Sequence, residues 1–209
     1  RGTRSFPHGR ILMKDLLAGD IDGDNKDRQQ LQVDKAVKND MSIDVKSEGL
    51  KAEMKSWVFP LHMIDFETST VSLPFTAGRK PYEQVAFQFS HHIIEANGRV
   101  EHADEYISNT PGEFPNFHFV RALKDALEHD NGTIFRFATH ENTILNAIIE
   151  QLEVSVEPDK DVLIEFMKTI TVSTADNVDQ WVGDRKMVDL KDVVFKYYYN
   201  PYTKGSNSI

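Results

Sequence analysis

The pattern of hydrophobic and polar positions divides the chain near residue 56. Before it, residues 1–56 are polar and acid-rich with little sustained periodicity. The exception is 43–58 (IDVKSEGLKAEMKSWV), whose spacing predicts a short amphipathic helix leading into a core. From Val58 the texture changes. VFPLHMIDFE (58–67) is an apolar, β-prone run that ends abruptly in acids. Residues 84–95 alternate as a half-buried strand does and set Val85, Phe87 and Phe89 on one face. Asn97-Gly98 is a hairpin turn signal, and 99–107 reads as the partner strand.

A loop over Pro111–Pro115 precedes a helical stretch at 117–129, where Phe117, Val120, Leu123 and Leu127 share a face. TIFRFA (133–138) predicts a short strand. A helix follows from about Glu141 to Leu152, with Ile144, Leu145, Ile148 and Ile149 turned inward. Residues 161–170 read as a further helix, and MVDL (187–190) as a strand end entering a helix that runs to about Tyr199. The tail from Asn200-Pro201 is turn-rich, and no internal repeat appears. A hairpin followed by βα units predicts an α/β arrangement around a mixed sheet. Residues 1–50 are expected as an irregular arm or linker, and 51–209 as the core.

Composition narrows the function classes. The 209 residues contain no cysteine, which excludes disulfides and thiolate metal sites and suits a reducing, cytoplasmic setting. No apolar run approaches the roughly 18–20 residues of a membrane span, and RGTRSFPHGR is not followed by the apolar run of a signal peptide. A chain that begins at Arg rather than Met reads as a piece of a larger protein. The formal charge of −9 argues against a broad basic surface gripping nucleic acid through phosphates alone. It leaves room for metal-dependent chemistry, because bound divalent cations invert the local charge.

The acids that matter start with Ile64-Asp65-Phe66-Glu67-Thr68. Residues i and i+2 of a strand face the same side, so Asp65 and Glu67 point together. Two carboxylates on one face repel unless protonated or bridged by a cation, and carboxylate oxygens suit hard ions such as Mg²⁺ or Mn²⁺. Strand termini also produce such pairs with no function attached. The second constellation is Phe137-Ala138-Thr139-His140-Glu141, where a strand enters a helix and Glu141 occupies the first turn. There its carboxylate projects beyond the strand's C-terminal end, where ligands of open α/β sheets collect. An acid in that place also simply complements the helix dipole.

Pro60-Leu61-His62-Met63-Ile64-Asp65-Phe66-Glu67-Thr68 and Pro81-Tyr82-Glu83-Gln84-Val85-Ala86-Phe87-Gln88-Phe89-Ser90 resemble an uncharacterised bacterial domain family within the DnaQ-like (DEDD) exonuclease superfamily. Asp189-Leu190, Tyr198-Tyr199-Asn200-Pro201 and Gly205-Ser206-Asn207-Ser208-Ile209 match its later motifs, so the similarity runs from about residue 50 onward. The resemblance implies an RNase H-like fold and 3′–5′ exonuclease chemistry on a DNA or RNA 3′ end with two Mg²⁺ or Mn²⁺ ions. It also implies frequent fusion to a RecB-like nuclease module. Asp65 and Glu67 match the first motif. Glu141 matches the second, as a variant of the commoner Asp, with His140 where the family has Phe. Phe66, Thr68 and His140 are the implied nucleic-acid contacts. The third motif, an Asp with an upstream His or Tyr base, belongs after the Gly-Ser-x-Ser-Ile segment, where this sequence ends. The resemblance therefore implies either an exonuclease core lacking its last carboxylate or an inactive nucleic-acid-binding or accessory module on the same fold.

Other motifs are weaker. Asp189 is expected to cap the helix after it, with a metal-neighbour role as the alternative. Asp189-Leu190-Lys191 with Pro158-Asp159 fits a restriction-type nuclease pattern, although Pro158-Asp159 reads as loop. Asp20-Ile21-Asp22-Gly23-Asp24 has its Gly at the fourth position and Leu31 at the twelfth, so it reads as a solvated loop rather than a calcium site. Tyr197, Tyr198, Tyr199 and Tyr202, beside Lys196 and Lys204, offer base stacking, with packing the plainer use. His91 and His92 are strand neighbours that face opposite ways and cannot jointly bind one metal, and His62, which points to the face opposite Asp65, is expected to be structural.

Overall fold

A computed structural model describes residues 12, 15, 16, 20, 21, 23, 25–174 and 177–203 of the protein. Asp22 and Asp24 of the acidic loop, Lys204 and the Gly205–Ile209 motif lie outside the described residues. The chain divides into two compact units: residues up to Leu50 with those from Val193 onward, and Lys51–Asp192. No helix among the described residues is long and apolar enough to cross a membrane.

The larger unit is built on a mixed five-stranded sheet. Its strands are β2 (Leu61–Ser69), β3 (Val85–Ile94), β4 (Val100–Ile107), β5 (Ile134–Arg136) and β6 (Val188–Asp189), in the spatial order β4-β3-β2-β5-β6. β3 is antiparallel to β2 and to β4, whereas β5 runs parallel to β2 and β6 parallel to β5. Counted within the sheet, the order is third, second, first, fourth, fifth, with the second strand reversed. That is an RNase H-like arrangement, and it puts β2 in the middle.

Three helices supply the core: α3 (Asn116–Leu127), α4 (His140–Glu153) and α5 (Lys160–Ile170). Their apolar positions recur every three or four residues, so each carries one buried stripe. Phe119, Val120, Leu123 and Leu127 of α3 are fully buried, as are Ile144, Leu145, Ile148 and Leu152 of α4 and Met167 and Ile170 of α5. Phe119 is the hub. Its ring meets Phe66 of β2 edge-on at 4.9 Å, Phe89 of β3 at 5.5 Å and Tyr106 of β4 at 5.9 Å. A fully buried ring such as that of Phe119 or Phe89 contributes roughly 1.5–3 kcal/mol over its exposed state.

Two local features differ from the sequence pattern. Val85, Phe87 and Phe89 do not share a face along β3. The register slips opposite Glu67 and Thr68, so that Glu67 pairs with Gln88 but Thr68 with Ala86. This bulge turns Ala86 inward, fully buried beside Phe89, and leaves Val85 and Phe87 half-buried. The predicted 43–58 helix is shorter: β1 (Asp44–Val45) precedes α2 (Ser47–Met54), and residues 57–60 lead into β2.

The smaller unit differs from an irregular arm because Lys26–Lys38 forms a helix, α1. Its pattern is hard to read since Lys35 is among its buried residues. The Lys35 ammonium is used up by the Asp40 carboxylate at 3.0 Å and by the Ser42 carbonyl and hydroxyl at 2.8 and 2.9 Å. α6 (Leu190–Tyr197) ends two residues earlier than expected, and β7 (Tyr198–Tyr199) pairs antiparallel with β1. Arg28 donates to the carbonyls of Phe195 and Tyr198 and lies 4.3 Å from the Phe195 ring centre. Of these tyrosines, Tyr197 and Tyr199 are accordingly buried and Tyr202 is widely exposed, so packing rather than base stacking occupies the first two.

Candidate functional site

β2 alternates with period two through the site. Ile64 and Phe66 are buried on the helix side, while Asp65 and Glu67 are exposed on the opposite face. The expected pairing of the two acids on one face therefore holds. Phe66 is the correction. Its ring is 4% exposed and packs against Phe119, so it is a core residue with no face left for nucleic acid.

Glu141 reaches the neighbourhood from the other direction. β5 ends at Arg136 and α4 begins at His140, with a short turn between them. Glu141 sits in the first helical turn and is 2% exposed. Its Oε2 is buried without a hydrogen-bond partner. Burial pushes the Glu141 carboxyl up to about 7; its own backbone N–H and the Arg136 guanidinium pull the other way, and the nearby Asp65 and Asp189 carboxylates push it further. Two acids from β2 and β6 thus act electrostatically on a third at the start of α4.

Asp189 is engaged by its surroundings. It lies on β6 in register with Arg136 of β5. Its Oδ2 accepts from Arg136 Nη1 at 3.0 Å, and its Oδ1 accepts the backbone N–H of Ala138 at 2.9 Å and of Lys191 at 3.0 Å. The capping role expected of Asp189 is present in the Lys191 bond, with a second bond that the sequence does not reveal. Arg136 also donates to the Ala138 carbonyl. At the rim, Thr68 Oγ1 and His140 Nε2 are 3.0 Å apart, joining the end of β2 to the start of α4. His140 is exposed, and Thr68 is half-buried.

Does this set suit a divalent ion? The donors are carboxylate oxygens, the ligand type Mg²⁺ and Mn²⁺ prefer. A buried carboxyl with an orphaned oxygen and acidic neighbours is a place where a cation relieves desolvation and repulsion together. In those respects the residues fit. Among the described residues, however, no three acid or histidine side chains are already grouped to hold a metal.

The remaining candidates fall to other work. Asp159 stands just before α5 and is held by Arg121, whose Nε donates to Oδ2 at 2.7 Å and Nη2 to Oδ1 at 2.6 Å. It is a bidentate ion-pair partner in a loop, off the strands, and offers nothing to a restriction-type site with Asp189. His91 and His92 do face opposite ways, the first buried and the second exposed. His62 is buried as well. Its Nε2 donates to Asp130 Oδ1 at 2.9 Å, and its Nδ1 lies 2.8 Å from His91 Nε2.

Two features escape the sequence reading. Arg136, a lone cation inside the apolar TIFRFA run, is itself a visible signal. The other is an apolar cavity of about 560 Å³ that begins at Ser69, two residues beyond Glu67, and is lined by Val71, Phe75, Phe87 and Phe114 with Arg79 present. The Arg79 guanidinium lies 3.4 Å from the Phe114 ring centre. Nothing in the spacing of these residues predicts that they meet.

Residues 62–208 match the family described as Domain of unknown function (DUF2779). The chain belongs to this DUF2779 family. The match spans β2 through β6, so every residue of the candidate site lies within the family domain. No curated protein and no solved structure matches the chain.

Proposed function

We propose that this DUF2779 chain is a DnaQ-like, metal-dependent 3′–5′ exonuclease core acting on a DNA or RNA 3′ end in a cytoplasmic setting. The observation that carries the reading is the electrostatic meeting of Asp65, on the central strand of an RNase H-like sheet, with the buried and under-bonded Glu141. Asp65, Glu67 and Glu141 would hold Mg²⁺ or Mn²⁺. Bound there, such ions supply water activation and neutralisation of charge at the phosphodiester. The chain's own residues do the rest. Exposed Asp65 and Glu67 leave one face of β2 open to a strand end, and the Thr68–His140 pair borders it. The apolar cavity that begins at Ser69, two residues beyond Glu67 on the chain, would take a terminal nucleoside.

One observation favours a second reading. Because no three ligands are grouped among the described residues, the same fold serves equally as a nucleic-acid-binding accessory module, for example beside a fused RecB-like nuclease. A 5′-labelled single-stranded oligonucleotide incubated with Mn²⁺ separates the two. The exonuclease reading expects stepwise shortening from the 3′ end that Asp65→Asn reduces at least about 100-fold. Binding without shortening supports the accessory reading instead.

A further inference from the structure

The turn that delivers Glu141 carries a backbone cost. Ala138 has φ +73°, in the left-handed region that an alanine side chain disfavours. A residue held there is strained and persists only where its surroundings over-determine it. The surroundings here are specific. The Ala138 N–H donates to Asp189 Oδ1 at 2.9 Å, and the Ala138 carbonyl accepts from Arg136 Nη1. Arg136 in turn is bound to Asp189 Oδ2 at 3.0 Å, and both side chains are largely buried, 13% and 9% exposed. Both polar groups of the strained residue are thus gripped by one buried ion pair, bridging two adjacent parallel strands in register. A glycine would hold the same turn unaided, but the chain has alanine there and a clamp around it.

We propose that Asp189, with Arg136, is a positioning residue: it clamps Ala138 in the left-handed conformation and so fixes where Glu141 enters the site. The proposal rests on the metal-site reading for its consequence, but not for its geometry. Asp189 acts through the backbone, and its bonds to Ala138, Lys191 and Arg136 occupy both of its oxygens. Its place among the site's acids is therefore that of a support. Supports of this kind are worth about 10–100-fold in metal affinity.

The test uses the whole chain with Asp189→Ala, Ala138→Gly, their double variant and Asp189→Asn, each checked for a cooperative melt. Mn²⁺ affinity by calorimetry should fall at least about tenfold in Asp189→Ala. Adding Ala138→Gly should recover most of that loss, because glycine keeps the turn without the clamp. Asp189→Asn keeps an oxygen for both N–H groups but sets its amide NH2 against Arg136, so it should fall between Asp189→Ala and the unsubstituted chain, and it keeps the test open even if Asp189→Ala folds poorly. Undiminished affinity in Asp189→Ala, or a double variant as weak as Asp189→Ala, overturns the clamp. If the unsubstituted chain binds no Mn²⁺, the metal reading fails by itself. The clamp is then decided by φ at position 138 in a crystal structure of Asp189→Ala: a negative angle supports it, and a retained positive angle overturns it.

Discussion

Two clusters of buried polar groups sit at opposite ends of β2, and they are solved in opposite ways. Near its start, His62 is held between Asp130 and His91, and Asp130 accepts in addition from the Gly132 N–H at 2.6 Å and from Arg185 at 3.3 Å. Burial would raise the Asp130 carboxyl, yet the Gly132 N–H, His62 and Arg185 together hold it below its ordinary value. The atom left without a partner there is His91 Nδ1. That omission is tolerable, because burial and the neighbouring His62 lower His91 to about 4 and keep its ring neutral at ordinary pH. Beyond the middle of the strand the unpartnered atoms are Glu141 Oε2, on a group with acidic neighbours, and Arg136 Nε, whose guanidinium is already committed to Asp189. The first cluster is self-sufficient. The second is short of a positive charge, which is the physical content of calling it a site.

The sharpest way to break the first cluster is Gly132→Ala. A Cβ there would stand 2.0 Å from the Pro60 carbonyl oxygen, 2.7 Å from His62 Nε2 and 2.9 Å from Asp130 Oδ1. Backbone must move, so we expect a loss of about 3 kcal/mol or more in urea unfolding. Truncating the shared packing instead, Phe119→Ala should cost about 3–5 kcal/mol by the same measurement. Both variants set the scale for the smaller effects of titration and of the rim.

Titration separates the clusters by sign. The folded Glu141 carboxyl, at about 7, lies above its unfolded value near 4.5, so its protonated form favours the folded state. That stabilisation is full below about pH 4.5 and is lost as pH rises through 7. His91, lowered to about 4 from 6.5, does the reverse: its contribution is full above pH 6.5 and is lost as pH falls through 4. Each is worth about 2–3 kcal/mol. Between pH 4.5 and 6.5 the two slopes oppose each other in the unsubstituted, metal-free chain. Glu141→Gln should expose the His91 slope, with stability rising with pH, and His91→Asn the Glu141 slope, with stability falling. Denaturant midpoints across pH 4–8 check both, and parallel profiles for the two variants would contradict the comparison.

The smallest effect belongs to the rim. Thr68→Val removes the half-exposed hydroxyl that meets His140, and should change stability by less than about 1 kcal/mol. If His140 is a substrate contact positioned by that bond, the same variant weakens oligonucleotide binding while leaving Mn²⁺ affinity unchanged, which a fluorescence titration reads.

Much of the architecture is legible in the residues. The Asn97-Gly98 turn, the α3 and α4 stripes and the alternation that sets Asp65 beside Glu67 are local patterns, and the fold realises them between 61 and 153 with small shifts at the ends. Phe66 departs from its motif role because strict alternation along β2 sends it to the face opposite the acids. The β3 pattern fails at the bulge because the slip depends on the partner strand. α1 escapes detection because a buried lysine breaks its stripe. The Arg136–Asp189–Ala138 clamp joins residues up to 53 positions apart, so no window along the chain contains it.

Everything proposed for the site turns on whether the acid cluster lacks a cation that Asp65 helps to hold. Isothermal calorimetry with Mn²⁺ at pH 8, above the Glu141 titration, tests this on the intact chain and on Asp65→Ala. The predicted result is saturable binding that disappears in Asp65→Ala while its thermal melt stays cooperative. Equal binding by both chains, or none by either, would contradict it.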